Sequence, residues 1–437
     1  CKGSSSATSK IMRCELQCVV RKSASHLKGA WRGYIVSVRD ACMQWPQQFR
    51  GTAHITSQYY PRPLQRFEVE RYHGWNAPRS LSSSEVESLS MSEVLSIADN
   101  ETAELWSKLS LGYPDQKGHR LLLKEIAGYY EHSPIKSEDI LVVSPAEGIL
   151  LSMLAILKPG DRVIATSPAY QSLLEVARSI GCEVVRWLPQ GVSNCNGLPA
   201  TFDPAELKSL ASAGESPRLV VGNFPHNPTG AVLSSAQLAE VANVCASHGA
   251  YLFVDELYRG LEHRCDVPPL AACELGYDRA ISLGGMSKVY GMPGIRIGWL
   301  ATSDKLLQTR LAELKDYTSI CPPAPSEILA VIGLRARESL VKRGRGLVHS
   351  GLHALSIFME KNDEKLAWAL PSGGTTAFLR FKDQAISSTE YCERIVNHHG
   401  LNLIPGSLFE WNDDTFLRVT YGQAATSDLL DYWSERI

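Results

Sequence analysis

Four short stretches of the chain combine residue types that could do chemistry. In "SLGGMSKVYGMPGIRIGW", Lys288 follows Gly284, Gly285, Met286 and Ser287, and Arg296 stands eight positions later among Gly and Pro. A lysine on so open a backbone can act as a nucleophile or a base. The competing reading is a surface lysine. In "YLFVDELYRG", Asp255 closes an apolar run and Tyr258 lies three residues on. A carboxylate there is costly unless a cation faces it, or else it caps a following helix. In "NFPHNPTG", Asn227, Pro228, Thr229 and Gly230 follow a second apolar run. Alone, that stretch reads as a turn. In "FLRVTY", Arg418 sits inside a hydrophobic strand, suited to bidentate capture of a carboxylate or to a structural ion pair.

The elements around these stretches form a pattern. Asp139–Val143, Gly160–Thr166, Glu183–Trp187, Arg218–Phe224, Tyr251–Glu256 and Ala280–Gly284 read as strands. Gly148–Leu157, Tyr170–Ile180 and Leu238–Ala246 carry helical spacing. Near-continuous apolar runs predict strands buried on both faces, and βαβα alternation predicts a mostly parallel sheet covered by helices. Ligands of such sheets bind at the carboxyl ends of the strands, where the polar stretches fall. After about Cys321 the pattern changes. Ser326–Asn362 reads as helical, Thr376–Phe381 and Phe416–Tyr421 as strands, and Glu390–His399 and the terminus as helices. That is a smaller α+β domain.

Composition bounds the rest. The 437 residues are 44% hydrophobic and 21% charged, so a folded core is expected. A net charge of −2 argues against a dedicated nucleic-acid or anionic-membrane binder. No apolar run is long enough to cross a membrane. The 11 cysteines include no CxxC pair, which fits neither a zinc pattern nor a disulfide framework. Residues 1–60 hold nine Lys/Arg and two acids, with many serines. Such a leader resembles a transit peptide for a mitochondrion or plastid; the alternative is an unprocessed extension and a cytoplasmic protein.

Taken together, the polar stretches fit one cofactor. A pyridoxal 5'-phosphate site needs a lysine for a Schiff base, a carboxylate for the ring nitrogen, donors for the ring oxygen, an anion pocket and an arginine for an amino-acid carboxylate. Asn227, Asp255, Tyr258, Lys288, Arg296 and Arg418 supply these in order. With those motifs, the chain from about Arg66 to Ile437 resembles the class I/II aminotransferases of fold type I, the aspartate aminotransferase superfamily. Arg66–Ala98 and "LSLGYPDQKGHRLLLKEIAGYY" resemble the amino-terminal part of a subgroup of that family.

The resemblance implies a large domain with a mostly parallel seven-stranded sheet flanked by helices, plus a smaller α+β domain. It divides the chain into a basic leader (1–62), an arm with part of the small domain (63–110), a cofactor-binding domain (111–320) and a carboxyl-terminal small domain (321–437). It further implies a homodimer that exchanges an amino group between an L-amino acid and a 2-oxo acid. By resemblance, Lys288 carries the Schiff base and moves a proton, and Asp255 keeps the ring nitrogen protonated. Tyr258 and Asn227 donate to the ring oxygen, and Tyr170 stacks on the ring. Ser287, Arg296 and the amides of Ala146 and Glu147 bind phosphate, joined by Tyr113 from the neighbouring subunit. Arg418 and Asn227 hold the substrate. Ser167-Pro168 and Asn227-Pro228 are expected to be cis.

Two positions depart from the family pattern. Gly285 replaces a Ser or Thr three residues before the lysine, and Ser144-Pro145-Ala146-Glu147-Gly148 replaces the usual phosphate loop. No second arginine is evident for a side-chain carboxylate, which disfavours dicarboxylic substrates. The same scaffold also serves lyases, decarboxylases and cyclases, and cofactor-binding regulatory modules that do not catalyse.

Overall fold

The computed structural model describes residues 62–68, 76–130, 135–193, 195–264 and 268–437. Chain contacts separate Cys1–Thr56 from Ser57–Ile437, and the architecture below belongs to the second unit. The expected leader, up to residue 61, lies outside the described residues.

A short strand β1 (Arg79–Ser80) begins the ordered pairing. The large sheet then takes in β2 (Ile140–Val143), β3 (Arg162–Thr166), β4 (Glu183–Trp187), β5 (Leu219–Asn223), β6 (Tyr251–Asp255), β7 (Ala280–Gly285) and β8 (Gly298–Ala301). Their order is β2-β8-β7-β6-β5-β3-β4. Pairing is parallel from β7 across to β4, while β8 runs antiparallel to both β7 and β2. The mostly parallel seven-stranded sheet is therefore present. β8 is an element that the sequence pattern does not suggest.

The apolar runs are buried because helices cover both faces. Successive strand residues point to opposite sides. Val163, Ala165, Leu219, Val221, Phe253 and Ile281 pack with the helices Pro145–Ile156 and Ser172–Ile180. Ile164, Val220, Leu252 and Val254 pack on the other face with Pro204–Ser212 and Ser235–His248.

The second sheet is antiparallel, in the order β12-β13-β10-β9, from β9 (Leu366–Trp368), β10 (Thr376–Phe381), β12 (Ile404–Pro405) and β13 (Phe416–Thr420). Helices Ser388–His399 and Thr426–Ser434 pack with it into one core; Phe358 stacks on Trp433 with ring centroids 4.6 Å apart. The helical stretch expected over Ser326–Asn362 is two helices, Ala324–Arg335 and Arg337–Lys361, broken at Ala336. At Gly351 in the second of these, a Cβ would run into the Tyr421 carbonyl oxygen. A glycine therefore lets this helix lie against the end of β13.

One small pairing matters for the site. β1 runs parallel to β11 (Leu401–Asn402), with Arg79 opposite Leu401. This ties the segment after β1 to the carboxyl-terminal part of the chain. Val86 N then donates to the Lys288 carbonyl and Glu87 N to the Gly422 carbonyl, at 3.1 and 2.9 Å. No helix among the described residues is long and apolar enough to cross a membrane.

Candidate active site

The candidate residues gather at the carboxyl ends of the central strands, with Tyr113 as the exception. Asp255 is the last residue of β6, and β7 ends three residues before Lys288. Parallel pairing of β6 with β7 sets Asp255 opposite Leu283. Asp255 also lies opposite Asn223 on β5. Asn223 donates from Nδ2 to the Asp255 carbonyl at 3.0 Å and accepts from Asn227 N at 2.8 Å. That bond holds the turn carrying Asn227 against the sheet. Both expected cis bonds are present, together with Phe224-Pro225.

Asp255 is 6% exposed. Burial pushes its carboxyl up to about 6, against the opposing pull of the Leu257 amide and the Lys288 ammonium. The Leu257 amide donates to Oδ1 at 3.2 Å. The buried Tyr258 hydroxyl has no hydrogen-bond partner among the described residues. Leaving such a group unpaired costs about 1–3 kcal/mol. A buried carboxylate in need of a cation and a buried hydroxyl in need of an acceptor both suit the ring of pyridoxal phosphate.

The phosphate end also fits. Pro145 is the first helical residue of Pro145–Ile156, where a missing N–H costs nothing. The Ser144 amide donates to Glu147 Oε2 at 3.1 Å, and Gly148 N is the first to bond back along the helix, to the Ser144 carbonyl. The amides of Ala146 and Glu147 therefore have no helical acceptor and sit at the positive end of the helix dipole. The Glu147 side chain itself is occupied, accepting from Thr318 Oγ1 and Ser319 N. Arg296 is exposed, in a left-handed conformation at φ 57°, and donates from Nη1 to the Pro293 carbonyl at 3.1 Å. Among the described residues no carboxylate pairs with it. Ser287 is buried beside Lys288.

The glycine at 285 has a steric cause. A Cβ there would lie 2.7 Å from Leu257 Cδ2 and 3.2 Å from the Gly298 Cα on β8. A larger residue there would push on the Leu257 side chain and crowd the backbone of β8; with glycine in place, Ser287, Arg296 and the helix amides are the groups left that could hold a phosphate.

Arg418 is buried on β13. Its guanidinium donates to Asn227 Oδ1 at 3.4 Å and to the Ser82 carbonyl at 2.5 Å, and lies 5.1 Å from the Phe409 ring centroid. Tyr170 follows β3 and meets Phe67 edge-on at 5.1 Å. Tyr113 is 90% exposed and joins none of these groups within one chain. His226 is a turn residue: its Nδ1 is 2.8 Å from Thr229 Oγ1, and burial pulls the imidazole down to about 3. Among the described residues no group of three or more His, Cys, Asp and Glu side chains could hold a metal.

Two residues at the site carry no signal in the sequence. Lys288 Nζ donates to Ser84 Oγ at 2.7 Å and lies 3.7 Å from Glu85 Oε2. Both come from the segment after β1, about two hundred residues away in sequence. No local motif marks them; the β1–β11 pairing and the backbone bonds of Val86 and Glu87 to Lys288 and Gly422 bring them in.

Comparison with known proteins agrees with this geometry. Residues 80–437 match the model of the family described as aminotransferase class I and II. Capreomycidine synthase of Streptomyces vinaceus is 30% identical over 266 residues, which is 60% of this chain and 65% of that protein, so the match spans just under two thirds of the relative's length. The crystal structure of a PLP-dependent aminotransferase from Streptococcus suis 89-1591 superposes with a TM-score of 0.76 at 27% identity, over 85% of this chain and 97% of that one. The PLP-dependent cyclase OrfR gives a TM-score of 0.74 at 26% identity, over 86% and 97% of the two chains. The chain belongs to the class I and II aminotransferases and is a pyridoxal-phosphate-dependent aminotransferase of fold type I.

Proposed function

We propose that the enzyme moves the amino group of an L-amino acid to a 2-oxo acid at the edge where β6 and β7 end. The observation that carries this reading is the pair Asp255 and Lys288. Each leaves the end of one of two adjacent parallel strands, and burial pushes the carboxyl of Asp255 up to about 6. Lys288 binds the cofactor aldehyde through its ε-amine and afterwards carries a proton to and from the substrate Cα. Asp255 holds a proton on the ring nitrogen. Tyr258 and Asn227 donate to the ring oxygen, and Tyr170 packs on the ring. Arg296, Ser287 and the amides of Ala146 and Glu147 hold phosphate. Arg418 clamps the substrate α-carboxylate, with Asn227 bonded to its guanidinium. The bound cofactor supplies an electron sink for the charge left at Cα.

Two copies of the chain complete the site in this proposal. Tyr113, Leu111, Tyr317 and Ile320 are all more than half exposed, an apolar group suited to a second subunit. Tyr113 then reaches the phosphate of the neighbouring copy. The leader, with nine basic and two acidic residues, supports delivery to an organelle. Sequencing the amino terminus of the native protein checks that part.

The test is a half-reaction screen. The cofactor-loaded enzyme is mixed with single L-amino acids, and the products are weighed. Transamination yields pyridoxamine phosphate and the matching 2-oxo acid. Similarity to a cyclase favours one second reading, ring closure or elimination, which returns the cofactor unchanged, with a cyclic product in the first case and with ammonia and a 2-oxo acid lacking the leaving group in the second.

A further inference from the structure

We propose that His263 is a positioning residue that fixes Tyr258 and Asn227, the two donors to the cofactor ring oxygen, relative to each other. The inference rests on that reading of Tyr258 and Asn227. The two come from different connections of the large sheet, Asn227 from the turn after β5 and Tyr258 from the stretch after β6. The segment 371–374, just before β10, is bonded to both connections. The amides of Ser372 and Gly373 donate to the Gly230 carbonyl, three residues past Asn227, at 2.8 and 3.0 Å. The Gly374 amide donates to the Leu261 carbonyl, three residues past Tyr258, at 3.0 Å. Gly374 is left-handed at φ 77°, and its backbone lies so near the Tyr258 ring that a Cβ would be 3.7 Å from Tyr258 Cγ.

His263 staples that segment. Its amide donates to the Ser372 carbonyl at 2.8 Å. Its ring lies between two more carbonyls of the same segment, with Nδ1 3.1 Å from the Pro371 oxygen and Nε2 3.1 Å from the Gly374 oxygen. Whichever nitrogen carries the proton, the ring therefore donates to segment 371–374. Burial, with His349 and Arg264 nearby, pulls the imidazole below its ordinary value against the pull of those carbonyls, so the neutral ring prevails at pH 7. The Tyr421 hydroxyl, 3.5 Å from Nε2, can then donate to the nitrogen that lacks a proton. Tyr421 follows β13, and its amide donates to the Thr375 carbonyl at 2.9 Å, which joins the staple to the strand carrying Arg418. Without the ring, the segment loses its side-chain donor, and Tyr258 and Asn227 lose part of their common support.

The experiment is a pH titration of the visible absorbance of the cofactor-loaded enzyme. It compares the wild type with His263→Gln, His263→Leu, Tyr258→Phe and the double variant of the last two. Donors to the ring oxygen weaken the hold of the Schiff-base nitrogen on its proton, so losing one moves the absorbance midpoint to higher pH. Tyr258→Phe should raise it by about one pH unit, one hydrogen bond's worth. His263→Leu should raise it by about half a unit or more, and His263→Gln, which keeps one side-chain donor, by less. Added to Tyr258→Phe, His263→Leu should give less than its full shift, because it acts partly through that residue. Thermal melts of the cofactor-free proteins read stability separately. A lowered melt with the midpoint unchanged in both His263 variants, or a His263→Leu shift that adds in full to that of Tyr258→Phe, would overturn the proposal. If Tyr258→Phe itself leaves the midpoint unmoved, the reading of the ring-oxygen donors falls and the proposal with it. If Tyr258→Phe moves the midpoint and neither His263 variant does, only the role of His263 is removed.

Discussion

Asp255 and Glu256 are adjacent, buried and acidic, yet their surroundings differ. Glu256 faces a set of partners that the chain itself provides. Its Oε1 accepts from Ala272 N at 2.6 Å and Ser282 Oγ at 3.1 Å. Nearby, Arg259 pairs with Glu274 at 3.1 Å, donates to the Pro269 carbonyl at 3.0 Å and lies 4.9 Å from the Tyr129 ring centroid. Asp255 has one amide donor and Lys288. Burial pushes both acids up, Glu256 to about 8 and Asp255 to about 6. One Glu256 oxygen also lacks a partner among the described residues. Neither a raised pKa nor an orphaned atom therefore marks the site alone. The difference is location: Asp255 ends its strand at the sheet edge where ligands enter, while Glu256 turns into an enclosed ion cluster.

Four substitutions can break or sharpen that contrast. The largest effect is expected for Lys288→Ala, which should lower turnover roughly a thousand-fold or more while leaving the unfolding midpoint nearly unchanged. Steady-state rates and a thermal melt measure both. Arg259→Met acts in the opposite sense. It strands buried carboxylates and should cost about 3–5 kcal/mol of stability, read from urea unfolding, with turnover per folded molecule largely kept. If Arg259→Met instead abolished turnover in folded protein, the division between the two regions would fail.

Asp255→Asn separates function from stability within one residue. In the cofactor-free protein, the carboxyl of Asp255 binds a proton more tightly than in the unfolded chain. Stability should therefore fall as pH rises from about 4 through about 6 and stay low above, a loss of up to about 3 kcal/mol. Asp255→Asn should lack that loss and be the more stable of the two at pH 7, yet turn over at least about 100-fold more slowly. Urea midpoints across this pH range test the sign. The smallest effect belongs to Tyr258→Phe. With its hydroxyl unpaired, removal should not destabilise the cofactor-free protein, while cofactor affinity should drop by about ten-fold, one hydrogen bond's worth. Equilibrium dialysis measures it.

Much of the fold and of the site is legible in the residues alone. Doubly buried strands are continuous apolar runs, so β3, β5, β6 and β7 stand out, and polar residues just past them mark the edge. β8 does not stand out: Gly298–Ala301 is four residues long and follows a loop full of Gly and Pro. The break at Ala336 carries no Pro or Gly to announce it. Ser84 and Glu85 depend on the pairing of β1 with β11 and on the bonds of Val86 and Glu87 to Lys288 and Gly422, contacts across about two hundred to more than three hundred residues that leave no local trace. Tyr113 is the reverse case, since family resemblance gives it a role that one chain, with the residue 90% exposed, does not fulfil alone.

The most direct test is chemical. The cofactor-loaded enzyme is reduced with borohydride, digested, and its peptides weighed. A phosphopyridoxyl mass on the peptide containing Lys288, absent from Lys288→Ala, is the predicted result. A label on another lysine, or none in protein that retains the cofactor, would contradict the account.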